Sequence, residues 1–169
     1  MASERCDGCG FVWDDVSWQH IPGLLRAAAH EMAAEIVNQG SNWTRRPSDE
    51  RWSTREYGCH VRDVLLSLRE RLILASVLDH PTGTALYRDD RIRIGLYANE
   101  NISEVSNDLV MAADLVARTI AALPDGFEER TMTYSAQTPT NVTLQWVAAQ
   151  GLHEVVHHLG DIRENGRLG

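Results

Sequence analysis

Lysine is absent from this chain. All 16 basic residues are arginine, set against 24 acidic ones for a formal net charge of −8. Arginine codons are GC-rich and lysine codons AT-rich, so the sequence reads as the product of a high-GC genome. The acidic balance excludes two partner classes, nucleic acid and anionic membrane surfaces, because both need a basic face. No apolar run approaches the roughly 20 residues needed to span a bilayer. Residues 1–20 also lack the basic, then apolar, then small-residue succession of a signal sequence, so the chain is expected to be cytoplasmic. Cysteine is scarce as well: three thiols, an odd number in a reducing compartment, exclude a disulfide framework. Phosphate-cradling glycine loops and serine or cysteine nucleophile signatures are missing too.

What is present is helical periodicity. At 169 residues the chain can bury a full core, and it divides into an N-terminal arm, residues 1–19, and a main unit, residues 20–169. Ile21, Leu25, Ala28, Met32 and Ile36 form the apolar stripe of a first helix opening at Pro22. Ser53-Thr54-Arg55-Glu56 is a capping box that starts a second, whose stripe runs from Tyr57 through Val61, Leu65, Leu68 and Leu72 to Ala75. A long connection, residues 79–102, holds a charged run that can form a turn of helix. Val105, Leu109, Ala112, Val116 and Ile120 mark a third helix from near Ser103, ended by Leu123-Pro124-Asp125-Gly126. Residues 130–134 alternate like a short strand, and a fourth helix follows from near Thr140 to Glu164. The fold class is therefore all-α: a four-helix bundle with a long crossover between its second and third helices and a short arm carrying Cys-x-x-Cys-Gly.

The chemistry-bearing stretch is Leu152-His153-Glu154-Val155-Val156-His157-His158-Leu159-Gly160-Asp161-Ile162. It contains two i,i+4 pairs, His153/His157 and Glu154/His158. At about 100° per residue the two pairs cannot share a face. With Val155 as the core direction, His153 and His157 face outward, whereas Glu154 and His158 flank the apolar stripe. On the second helix His60 holds a similar shoulder position. A shoulder histidine by itself is more often structural than a ligand. Beside a Glu-x-x-x-His pair on another shoulder, His60 becomes the third donor of a metal site. Two imidazoles and one carboxylate leave coordination positions open, and such a set suits zinc first, with nickel or iron(II) also accommodated. Asp63, one turn on, would orient or salt-bridge rather than ligate.

Cys6-Asp7-Gly8-Cys9-Gly10 is a Cys-x-x-Cys knuckle, half of a metal site. It can be a plain solvated arm, a redox pair, or part of a second zinc. For the last, Cys59, placed by periodicity on the outward face of its helix, would join Cys6 and Cys9, with His153 or His157 as a fourth donor.

Trp52-Ser53-x-x-Glu56-Tyr57-x-x-His60-x-x-Asp63, followed by His153-Glu154-x-x-His157-His158-x-x-Asp161-Ile162, resembles the DinB-like superfamily. That superfamily includes mycothiol-dependent maleylpyruvate isomerases and mycothiol or bacillithiol S-transferases. The resemblance implies a metal-binding four-helix bundle with one histidine from the second helix and a pair from the fourth. His60 matches the first position, Glu154 the middle and His158 the last. It also implies a low-molecular-weight thiol as co-substrate, mycothiol for a high-GC source, activated by the metal to attack an electrophilic small molecule. Tyr57, Arg91 and Arg93 are candidates to border that substrate. An isomerase of the maleylpyruvate type would use the same thiol and require cationic anchors for a diacid. A non-catalytic, metal-stabilised binding protein, dimeric through an outward patch at Trp146, is the remaining alternative. The Cys-x-x-Cys arm is not part of the resemblance.

Overall fold

The four apolar stripes become four long helices that bury them against one another. The computed structural model describes residues 5–168. Helix α1 spans Ile21–Asn38, α2 Thr54–Val77, the short α3 Arg88–Arg93, α4 Ile102–Ala122 and α5 Leu144–Leu168. At the start of α2, Ser53 Oγ accepts a hydrogen bond from Glu56 N, and the Glu56 carboxylate accepts one from Ser53 N at 2.8 Å. The capping box is thus complete and fixes the N-terminus of the helix that carries His60. Asn101 caps α4 through a hydrogen bond from Ser103 N.

Around the bundle α1 packs on α4, α4 on α2, α2 on α5 and α5 back on α1. The consecutive helices α1 and α2 are therefore diagonal, and α2 and α5 are neighbours. That adjacency brings His60 to the Glu154/His158 pair. The core between them is Ile21, Leu25, Met32, Ile36, Leu65, Leu68, Leu72, Leu109, Ile120, Leu144 and Ile162, all fully buried. Each such side chain contributes about 1.5–3 kcal/mol relative to exposure. None of the described helices is long and apolar enough to cross a membrane.

The last helix begins at Leu144 rather than near Thr140. Strand β1 (Thr131–Thr133) pairs antiparallel with β2 (Asn141–Thr143), which takes the residues that would have been its first turn. The pair buries Met132 and Val142 on the bundle. The crossover joins it through a parallel bridge between Thr82 and Thr133. There Gly83 allows a contact no side chain would: an added Cβ would stand 2.2 Å from the Tyr134 carbonyl oxygen.

Asp63 anchors the rest of the crossover. It accepts hydrogen bonds from Tyr97 Oη at 2.8 Å, from Arg62 Nε at 3.0 Å and from Arg91. Arg62 also pairs with Glu100 at 2.9 Å, and Arg55 donates to the Ala98 carbonyl at 2.7 Å. This packing corrects the placement of Cys59. Residues 97–100 cover the face of α2 that periodicity left to solvent, so Cys59 is 0% exposed and burial pushes its thiol up to about 12. It lies buried beneath the crossover, apart from Cys6 and Cys9, and takes no part in a site with them.

The arm folds back along α5 and runs antiparallel to it. The Val16 carbonyl accepts from Gln145 Nε2 at 2.5 Å, and Trp13 Nε1 donates to Gln150 Oε1 at 2.9 Å. Phe11 contacts His153, and Cys6 meets His157. Trp13 is itself buried. It stacks on Trp146 with ring centroids 6.1 Å apart, so the arm covers part of the face on which a Trp146 patch was expected.

Candidate metal centre

α2 and α5 present three donors to one point. His60 Nε2 stands 3.4 Å from Glu154 Oε2, and His158 Nε2 stands 3.5 Å from the same oxygen. The rings of His60 and His158 are nearly perpendicular, with centroids 5.2 Å apart. Bonds of about 2.0–2.2 Å in a tetrahedron would separate donors by about 3.4 Å, which is the spacing found. His60 is 3% exposed, and neither of its ring nitrogens completes a hydrogen bond among the described residues. A buried imidazole left so is costly unless something else satisfies it. A divalent ion at the shared point would do so for Nε2.

Each donor on α5 is held by a further group. His158 Nδ1 lies 2.7 Å from Asp161 Oδ2, which fixes the tautomer and aims Nε2 at the triad. Arg51 in turn approaches Asp161 Oδ1 at 3.6 Å. Gln150 Nε2 donates to Glu154 Oε1 at 2.7 Å, leaving Oε2 for the shared point. Electrostatics follow from burial and these contacts. Burial alone would raise Glu154, but the imidazoles of His158 and His60 outweigh it, so the carboxyl lies well below the ordinary range. Burial lowers His60 and wins there. Burial would lower His158 too, but Asp161 and Glu154 overcome it and the imidazole is raised.

The triad opens on a cavity of about 400 Å³, with His60 and Glu154 in its wall. Arg71 and Arg88 bring positive charge to its wall and Asp89, Asp90 and Glu154 negative charge, with Tyr87, Tyr134 and Gln150 also lining it. Tyr87 holds a left-handed backbone, φ 53°, at the turn into α3, a strained conformation for a non-glycine residue. Arg71 is buried, donates from Nη2 to the Thr84 carbonyl at 2.6 Å and lies 4.4 Å from the centre of the Tyr134 ring. Its Nε makes no hydrogen bond among the described residues.

Arg71 was not anticipated, although a signal was available. It sits between Leu68 and Leu72 in an apolar stripe, and eleven residues after His60 a helix has returned to within about 20° of the same face. The three residues expected to border a substrate lie outside this cavity. Arg91 is engaged with Asp63 and the Leu86 carbonyl, Arg93 pairs with Asp90 at the surface, and Tyr57 packs behind His158 against Trp52. None of the three lines the cavity.

About 100° around α5 from the triad, Cys6, Cys9, His153 and His157 form a second group whose donor atoms all lie within 4.8 Å of one another.

Residues 23–162 match the family model of the DinB superfamily. No curated protein sequence matches the chain. Among solved structures the fold is similar to YfiT from Bacillus subtilis, described as a probable metal-dependent hydrolase with an unusual four-helix bundle topology. The two share 16% identity at a TM-score of 0.76, over 90% of this chain and 89% of that one.

Proposed function

The chain belongs to the DinB superfamily, and from that premise we propose that it is a metal-dependent enzyme transferring a low-molecular-weight thiol to an anionic electrophile. The observation that carries this reading is the three-donor triad beside an arginine-bearing cavity, with His60 buried and neither of its ring nitrogens in a hydrogen bond among the described residues. His60 Nε2, Glu154 Oε2 and His158 Nε2 would hold the ion. When bound, a divalent ion such as zinc lowers the pKa of a thiol and makes it a competent nucleophile near neutral pH.

The remaining work falls to the chain. Gln150 and Asp161 keep Glu154 and His158 aimed, so little reorganisation is needed during reaction. Arg71 and Arg88 anchor a carboxylate, and burial of Arg71 strengthens that attraction. In the transfer, sulfur forms a new bond to carbon and the leaving group departs with the electron pair of its old bond. The thiol proton passes to solvent. Mycothiol is the thiol that suits a high-GC source.

A second reading is favoured by the two arginines together, because a small unsaturated diacid needs a cation at each end. In that case the thiol adds, the carbon–carbon bond rotates, and the thiol leaves unchanged.

The deciding experiment measures free thiol and organic product with the metal-loaded protein, mycothiol and either a haloacetate or a cis-unsaturated diacid. Transfer consumes one thiol per product. Isomerisation produces the trans diacid with no thiol lost. A metal-dependent hydrolase, the class ascribed to YfiT, would turn over ester or amide substrates with thiol omitted, and that outcome would sink both thiol readings.

A further inference from the structure

The outward face of α5 carries a pair that the proposed reaction does not use. His153 and His157 are one turn apart, and the arm brings a cysteine knuckle onto them. The knuckle is built by its own backbone. Arg5 and Val12 form an antiparallel bridge, Cys6 N donates to the Phe11 carbonyl at 2.9 Å, and Gly10 N donates to the Cys6 carbonyl at 2.8 Å. Gly10, at φ +77°, supplies the left-handed turn that closes it.

Contact with α5 is intimate. A Cβ at Gly8 would stand 2.8 Å from His157 Cε1, so a side chain there would push that ring aside, and glycine lets the loop seat on it. Cys6 Sγ lies 3.5 Å from His157 Nδ1. Zinc bonds of about 2.3 Å to sulfur and 2.0–2.1 Å to nitrogen would place those atoms about 3.5 Å apart in a tetrahedron. His153 is walled in by Trp13, with ring centroids 4.5 Å apart, and by Phe11 at 5.4 Å.

We infer that Cys6, Cys9, His153 and His157 form a structural zinc site that fastens the N-terminal arm to α5. Four protein donors, two thiolates and two imidazoles, close the coordination sphere and leave no position for a substrate. The consequence reaches the bundle triad. The fastened arm carries Trp13, which donates to Gln150, which donates to Glu154. Trp13 is thus a positioning residue for the bundle triad. This last link rests on the reading of that triad given above; the zinc site itself does not.

The test loads the reduced, full-length protein with cobalt(II) and records its absorption and metal content. Wild type should bind about two ions and show the near-ultraviolet charge-transfer band of cobalt bound by thiolate. Cys6→Ser/Cys9→Ser should lose the band and about one ion. His60→Ala/His158→Ala should lose about one ion and keep the band. Alkylation of the native wild type supplies a readout independent of variant folding: Cys6 and Cys9 should resist iodoacetamide until a chelator is added. A folded wild type without the band, or with Cys6 and Cys9 alkylated equally with and without chelator, would overturn the zinc site. If the band remains but both His60 and His158 prove dispensable for the second ion, the arm site stands and the bundle reading falls.

Discussion

Helix α5 holds two sets of candidate ligands, and they differ in almost every respect that governs what a metal could do. The inward set, Glu154 and His158, is met by one histidine from α2 and opens on a cavity. The outward set, His153 and His157, is met by two cysteines from the arm. Three donors beside a cavity suit chemistry, whereas four donors under a folded arm suit stability. The sets are offset by a single residue, so about 100° of helical rotation separates the two roles. Asp161 lies between them, 2.7 Å from His158 Nδ1 and 3.8 Å from His157 Nε2. One helix can therefore serve two sites as long as each receives its remaining donors from a different neighbour.

The comparison breaks most visibly at His158. His158→Ala should remove the bundle ion and lower activity by at least about 100-fold, while the thiolate–cobalt band of the arm persists. Metal analysis and turnover on the same preparation check this. Loss of both signals would mean that the sites are one cooperative unit.

Arg71→Met tests whether the cavity binds an anion. Loss of a charge-assisted contact costs about 1.5–3 kcal/mol, so KM for a carboxylate substrate should rise about 10- to 100-fold. Metal content should not change. An unchanged KM would remove Arg71 from the substrate site.

Gln150→Leu and Trp13→Phe probe the link between the two sides. The first frees Glu154 from its hydrogen bond and should weaken the bundle ion by about 10-fold. The second keeps an aromatic ring on Trp146 but deletes the donor to Gln150, so its effect should be smaller and in the same direction. Competitive chelator titration measures both. Equal affinity in all three proteins would disconnect the arm from the triad.

The smallest effects lie in the cap of α2, which supports His60 and not the arm. Ser53→Ala should lower stability by about 1 kcal/mol. Glu56 adds a pH dependence. Burial would raise its pKa, but hydrogen bonds from Arg46 and Ser53 prevail, so its folded value lies below the ordinary 4.5. The unfolded chain then binds the proton more readily. This contribution is complete above about pH 4.5 and is lost as pH falls through the lowered value. In thermal melts between about pH 3 and 5, Glu56→Gln should flatten the decline of Tm. A slope identical to wild type would show that the acid sensitivity arises elsewhere.

Much of this was legible in the chain because helices encode faces. Val155, Leu159 and Ile162 point α5 toward the core, and once they are placed, Glu154 and His158 fall on a shoulder and His153 and His157 outside. The capping box announced the start of α2, and with it the height of His60. Periodicity misled where the covering came from the crossover instead of a helix. Cys59 faces away from the bundle axis of α2, yet Tyr97 and Glu100 belong to a segment with no repeat to reveal that it lies over that face. Arg71 was obscured for a related reason. A charge within an apolar stripe can be read as a flaw, whereas the fold shows it reaching a cavity that exists only once β1, β2 and α3 are assembled.

The sequence by itself determined the four helices, their buried faces and the pairing of donors along α5, since each follows from local spacing of about 3.6 residues per turn. Tertiary structure alone decided which neighbours those donors meet. Placing α1 and α2 on a diagonal sets α2 beside α5, so His60 reaches Glu154. The arm's return along α5 gives His153 and His157 the cysteines, while the crossover buries Cys59. The donor contacts join residues more than ninety positions apart, and no local pattern carries them.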